Sequence, residues 1–383
     1  MVKYPKANDF QGAVFLGYWN ESDIPIYDVP SMHSLNQLVG YVKHINAGNG
    51  TVLYRGQCKL YEHVVPSIMH DLATIKNNKR RMNSAINGIL SDAPFRKFFG
   101  LKNETIVGWQ LFQRLIVEAT LQHYGAKTFC VDFVDNHWTA LWFGLYEWDG
   151  LEARYKIREN TNLGEPNLFI KKSDNMNKKS LPVEPIITDI TLDDSKKEEL
   201  KLASKNAPIS YDDIVQRHIN TKYKSALRRW KSECQRIEHY NQGIDMIEKT
   251  DHLFLFLYVS ETNSSNLHGV YFGEKTYTID LRKALPSTFL RPCAQHGWIF
   301  RGKQDDYVFD DNVSCVIRIN VDLAKIMLGN GLLLSQDNFF PDETIDQGYH
   351  VLLERQKKSR LESKYEKVLP KETIADFGKH TLP

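Results

Sequence analysis

Three short polar clusters are set into otherwise apolar stretches of this chain, and each carries residue types able to grip or activate a ligand. Arg55-Gly56-Gln57 follows directly on Val52-Leu53-Tyr54. An Arg in that place presents a planar fork that meets a phosphate or carboxylate bidentately, and the Gly beside it leaves backbone groups open to a ligand. The same Arg serves equally as the partner of an acid at a strand end. The second cluster is Gln122-His123-Tyr124-Gly125 with Thr128 and Asp132. It puts His123 at a helix end, where the dipole favours an imidazolium, and Asp132 toward the end of a strand. A His closing a helix and an Asp preceding another are also ordinary caps. The third, Arg291 to Gly297, brings the Gln295 carboxamide and the His296 imidazole up to the apolar run Trp298-Ile299-Phe300. A buried Gln has to be hydrogen-bonded, so Gln295 serves there as a staple between strands as readily as a ligand contact.

Positioning these clusters falls to a mixed set of elements. Ser31 is a candidate N-cap for a helix carrying Leu35, Leu38, Val39 and Val42, closed by a turn over Asn46 to Gly50. Thr51 to Tyr54 reads as a short strand that delivers Arg55. Leu111, Phe112, Leu115, Ile116, Ala119 and Leu121 form a helical stripe that stops at Tyr124-Gly125. Thr128 to Val134 reads as a strand, and Asp135 or Asn136 caps the helix that follows, with Ala140, Leu141, Phe143, Gly144 and Leu145 inward. Leu253 to Val259, Thr276 to Leu281 and Val313 to Val321 read as further strands.

Length and composition bound the rest. With 383 residues, 25% charged and 42% apolar, the chain has globular composition and room for two ordinary domains or one large one with insertions. The formal net charge of +2 leaves any attraction to nucleic acid to local patches. Five scattered cysteines form no C-x-x-C pair, so neither a zinc ribbon nor a disulfide framework is expected, and a reducing cytosol is. The N-terminus has no apolar signal region and Leu253 to Val259 is far short of a bilayer span, so no membrane association is expected and the location is read as cytoplasmic. Phosphate-loop, dinucleotide, zinc-protease and serine-hydrolase motifs are all absent, which removes the common nucleotide and hydrolase readings and calls for no metal.

Domain organisation follows the composition. Residues 1–30 show no sustained period and read as an irregular arm; 31–350 form the main domain; 351–383 are a charged tail. Within the main domain, about 152–250 shifts to Lys, Glu, Asp and Asn and reads as a charged helical insertion. Seven basic residues against Glu233 alone between 217 and 237, with Ala226, Leu227, Trp230 and Ile237 on one side, describe a basic amphipathic helix. Its Arg228, Arg229 and Lys231 are candidates for docking a target, and equally an ordinary solvated face.

Taken together, Tyr54-Arg55-Gly56-Gln57, Gln122-His123-Tyr124-Gly125 with Thr128 and Asp132, Ala140-Leu141-Trp142-Phe143, Arg291 with Ala294 to Phe300, and Phe340-Pro341-Asp342 resemble the FRG domain in order over 31–350. Tyr54 stands in the Phe position of the family's Phe-Arg-Gly motif. The family's second motif usually reads like Q-H-Y-G-L-P-T-R-L-L-D-W-T. This chain departs from it at Ala126, Lys127, Phe129, Cys130 and Phe133, and more mildly at Val131 and Val134, with Phe129 in place of the family Arg.

The resemblance implies an α+β fold with an ADP-ribosyltransferase-like core of two small packed sheets, flanking helices and a charged helical insertion. It implies NAD as substrate in a cleft, bound through Arg55, Gly56, Gln57, Tyr124 and Thr128, with Arg55, His123, Asp132 and Gln295 as catalytic candidates. Gln295 stands at the late motif where such transferases usually carry a Glu, so Asp132 is the alternative source of negative charge. The implied activity is a toxin or phage-defence effector modifying RNA or protein, with an antitoxin or chaperone as a further partner. A non-enzymatic nucleotide- or nucleic-acid-binding module and an NAD hydrolase remain the alternatives.

Overall fold

Strands here are short, β-branched or aromatic, and closed by turns or caps, so long-range pairing decides where each one sits. A computed structural model of the chain describes residues 2–6, 12–20, 22–70, 73–101, 108–149, 154–157, 170–172, 180–187, 190–204, 210–246, 252–261 and 266–362. The order begins β1 (Val14–Trp19), β2 (Pro25–Asp28), α1 (Met32–Ile45), β3 (Val52–Gln57), α2 (Ile75–Ser91), α3 (Ala93–Phe98), α4 (Trp109–His123), β4 (Cys130–Val134) and α5 (His137–Leu145). Then come β5 (Tyr146–Asp149), β6 (Arg154–Ile157), β7 (Ile170–Lys172), α6 (Asp194–Ser204), α7 (Tyr211–Met246) and β8 (His252–Val259). The remainder is β9 (Asn266–Leu267), β10 (Val270–Phe272), β11 (Thr276–Asp280), α8 (Leu281–Ala284), α9 (Leu290–Ala294), β12 (Gly297–Gly302), β13 (Val313–Asn320), α10 (Val321–Met327), α11 (Gln336–Phe339) and α12 (Gln347–Glu362).

The class is α+β, as expected, but the strands are arranged differently from two small packed sheets. Eleven of them form one hydrogen-bonded ladder in the order β7-β1-β2-β13-β8-β3-β4-β12-β11-β10-β9, and β5 and β6 make a separate ribbon. The ladder is weakest at its centre. Strands β3 and β4 meet at a single antiparallel pair, Tyr54 with Val134, whereas β3 pairs with β8 over six positions and β4 with β12 over five. Each side of that junction has its own core. Leu35, Leu38 and Val42 of α1 and Leu141 and Trp142 of α5 cover β3, β8 and β13, while Phe112, Leu115 and Ile116 of α4 and Met82, Ile86 and Ile89 of α2 cover β11 and β12.

Local signals are realised where expected. The Ser31 hydroxyl accepts from the Ser34 amide at 3.1 Å and the Asn136 carboxamide from the Trp138 amide at 2.9 Å, capping α1 and α5. Gly125 takes the left-handed conformation just past α4, at φ 97°. Residues 1–30, expected as an irregular arm, instead contribute β1 and β2. Strand β2 pairs in parallel with β13, nearly three hundred residues away, and all four of its residues are buried, so no local alternation marks it. The fully buried Arg318 of β13 donates from Nε to Asp28 Oδ1 at 2.8 Å and fastens β2 in place.

Residues 174–247 form a compact unit of their own, narrower than the expected 152–250 insertion, and β6 and β7 belong to the larger unit. In it Leu200 of α6 and Ile237 of α7 are buried, and the Trp230 indole donates to the Pro182 carbonyl at 2.9 Å. The charged tail begins as α12; residues 363–383 lie outside the described residues. Among the described residues no helix is long and apolar enough to cross a membrane.

Helix α5 packs on β3 backbone to backbone. A Cβ on Gly56 would fall 1.8 Å from the Ala140 carbonyl oxygen, whereas one on Gly144 would lie 3.3 Å from the Gln57 nitrogen. Gly56→Ala is therefore expected to cost about 3 kcal/mol in urea unfolding, since helix and strand must separate. Gly144→Ala is expected to change stability by about 1 kcal/mol or less, its crowding offset by better helix propensity. Equal costs for the two would contradict this packing.

Candidate functional site

Because β3 and β4 share one residue pair, they diverge beyond Tyr54, and a cleft of about 900 Å³ opens between them. Arg55, Gly56 and Gln57 line it from β3, Asp132, Phe133 and Val134 from β4, Gln122 and His123 from the end of α4, and Arg291 and Gln295 from α9. All three clusters singled out in the sequence thus converge on one cavity.

Arg55 spans the mouth of the divergence. Its Nη1 donates to the Asp132 carbonyl oxygen at 2.8 Å, so a side chain takes the place of the next rung of the ladder. Its Nε has no hydrogen-bond partner and is shielded from solvent. Gly56 lines the cleft, and its lack of a Cβ is required by contact with α5. The Gln57 carbonyl oxygen of the side chain is buried and unpartnered.

Asp132 is the centre of a second set of contacts. The amide hydrogen of Cys130 goes to Thr128 Oγ1 at 3.0 Å, that hydroxyl donates to Gln122 Oε1 at 2.7 Å, and Gln122 Nε2 donates to Asp132 Oδ2 at 2.5 Å. Asp132 Oδ1 faces His123 Nδ1 at 3.7 Å, too long for a hydrogen bond. His123 is buried, and its Nε2 has no partner. Gly297 makes room for that ring, since a Cβ there would come within 2.7 Å of His123 Cε1. Burial opposes ionisation of Asp132, yet His123, Gln122 and Arg55 together hold its carboxyl below the ordinary carboxylate range. The side chain lines the cleft, with Oδ2 taken by Gln122 and Oδ1 shielded from solvent and without a hydrogen-bond partner.

Two residues expected to touch a ligand are not among those lining the cleft. Tyr124 is fully buried, stacks on Tyr349 at 5.6 Å and donates its hydroxyl to Asp346 Oδ2 at 2.7 Å. Thr128 is buried and acts on Asp132 through Gln122. Their positions beside His123 and Asp132 in sequence reflect support for those residues. Gln295 reaches the cleft while its Nε2 donates to the Phe339 carbonyl at 2.9 Å, so it is both lining and staple. Arg228, Arg229 and Lys231 are exposed on α7, in the 174–247 unit.

The cleft also contains His70 and Lys127, which no local pattern marked. Burial, reinforced by the charge of Arg55, pushes the His70 imidazole below its ordinary value. Lys127, Arg55 and Arg291 are permanent cations, and Asp132 is the one carboxylate among the lining residues. A cavity so charged favours an anionic ligand. Among families, curated proteins and solved structures, none matches this chain, so the resemblance to the FRG domain rests on these residues alone.

A carboxyl held low in the folded state contributes stability above its unfolded value, near 3.9 for Asp, and loses it as pH falls through the native value. The stability advantage of the parent chain over Asp132→Asn, measured by urea unfolding, is therefore expected to shrink as pH falls from about 4 toward 3. An advantage that grows on acidification would reverse the assignment.

Proposed function

We propose that the chain is an ADP-ribosyltransferase of the FRG type that consumes NAD and modifies a macromolecule, as an effector of a toxin or phage-defence system. The observation that carries this reading is the juxtaposition, in one cleft between diverging strands, of Arg55 on one lip and Asp132 beside His123 on the other. The ADP-ribosyltransferase-like arrangement of the core belongs to the same proposal: two half-sheets, each with its own core, flank the cleft.

In this reading Arg55 holds a phosphate or ribose oxygen, and the edge of β3 beyond Tyr54, which has no β4 partner, offers its backbone to the nicotinamide amide. Asp132 sets a negative charge where positive charge develops on the ribose as the nicotinamide–C1′ bond breaks and its electron pair leaves with nicotinamide. The acceptor oxygen or nitrogen forms the new bond to C1′, and His123 takes the proton it loses. Gln122 and Thr128 hold Asp132 in place.

A second reading, a nucleotide-binding module without turnover, is favoured by one observation. Gln295, at the position of the expected Glu, is neutral and committed to the Phe339 carbonyl. Incubation with labelled NAD and cell lysate separates the readings. The transferase predicts nicotinamide release and labelled protein or RNA, both reduced at least about a hundredfold by Arg55→Ala and Asp132→Asn. Binding without nicotinamide release supports the module, and free ADP-ribose without labelled macromolecule supports an NAD hydrolase. If the acceptor is RNA docked on α7, Arg228→Glu with Arg229→Glu weakens RNA binding and flattens its salt dependence; an unchanged salt slope removes that docking surface.

A further inference from the structure

Arg291 is 2% exposed, yet it lines the cleft. Its guanidinium lies over three rings, those of Tyr124, Phe340 and Tyr349, at 4.8, 5.0 and 5.1 Å from their centroids. Rings surround the guanidinium, but they supply no hydrogen-bond acceptor to its Nε and Nη2. Nε and Nη2 have no hydrogen-bond partner, and among the described residues no carboxylate forms an ion pair with it. The buried Asp346, which bonds the Arg291 backbone, is already committed: Oδ2 accepts from the Tyr124 hydroxyl and the Arg291 backbone amide, and Oδ1 from the Tyr349 amide. A buried guanidinium with two unpartnered, solvent-shielded nitrogens is costly, and the cleft sets a single carboxylate, already engaged by Gln122, against three basic side chains.

We propose that Arg291 is an anion-binding residue of the cleft, built to take a phosphate-type oxyanion of a nucleotide. The oxyanion supplies the acceptors that the protein withholds, and the aromatic cage holds the fork ready for it, so little rotamer freedom is lost on binding. Gln295, one helical turn along at the C-terminal cap of α9, is fastened to Phe339, and Phe340 is one of the three rings, so the wall carrying this residue is fixed at both points. This inference rests on the cleft being a nucleotide site and not on turnover.

Calorimetric titration of the full chain with inorganic pyrophosphate, ADP and uncharged adenosine tests it, alongside Arg291→Met, which keeps an unbranched side chain among the rings, and Arg291→Lys, which keeps the charge but loses the fork. The expected result is that Arg291→Met weakens pyrophosphate and ADP at least about tenfold, Arg291→Lys does so less, and the affinity for adenosine does not change. Pyrophosphate affinity equal to the parent in either folded variant overturns the proposal, as does a parent chain that binds neither pyrophosphate nor ADP at millimolar concentration. Arg291→Lys reports even if Arg291→Met does not fold. Nicotinamide release measured in parallel keeps the two ideas apart. Pyrophosphate binding that depends on Arg291 in a chain releasing no nicotinamide upholds this site and removes the transferase. Release with pyrophosphate binding indifferent to Arg291 does the reverse.

Discussion

A single backbone pair, Tyr54 with Val134, joins the two halves of an eleven-stranded ladder, and the cleft exists because the pairing stops there. An antiparallel register continued past it would set Arg55 opposite Phe133 and Gly56 opposite Asp132, closing the space with backbone hydrogen bonds. The Arg55 guanidinium instead spans to the Asp132 carbonyl. One residue therefore ties the halves together and presents charge to the space between them. Separate hydrophobic cores make this tolerable, since neither half depends on the missing rungs for its own packing.

What the amino-acid pattern disclosed and what it hid follow from the range of the interactions involved. Helices α1, α4 and α5 and strands β3, β4, β8, β11 and β13 are specified by periodicity and by caps such as Ser31 and Asn136, whose partners lie within a few residues. Strands β1 and β2 were hidden because β2 is paired in parallel to distant β13 and tied there by Arg318, a contact that leaves no local period. The cleft shows the same division. Arg55, His123, Asp132 and Gln295 were legible as polar residues in apolar context, whereas His70 and Lys127 enter it only through tertiary placement.

Neighbouring motif residues divide into those that meet the cleft and those that hold them. Gly56 was read as room for a ligand, yet the closest constraint on it is the Ala140 carbonyl of α5. Thr128 and Tyr124 sit among the polar motif residues, yet Thr128 orients Gln122 and Tyr124 is spent on Asp346. A side chain that must keep a carboxylate charged in a partly buried place needs donors aimed at it, and those donors need acceptors of their own. The chain from Cys130 through Thr128 and Gln122 to Asp132 is that requirement met in sequence order.

The start of β4 is held on the same terms. Phe129 is buried, and the Arg301 guanidinium of β12 lies 5.1 Å from its ring centroid. Arg301 also pairs with the buried Glu118 of α4 at 3.3 Å, and Glu118 Oε1 accepts the Phe129 backbone amide at 3.2 Å. A cation, an acid and the backbone of position 129 are thus bound together on the side of β4 facing α4, by residues from two other elements. Arg301 on the neighbouring strand, which pairs opposite Cys130 at the start of β4, supplies the positive charge beside Phe129. Asp132, three residues further on, can then face the cleft with its own partners undisturbed.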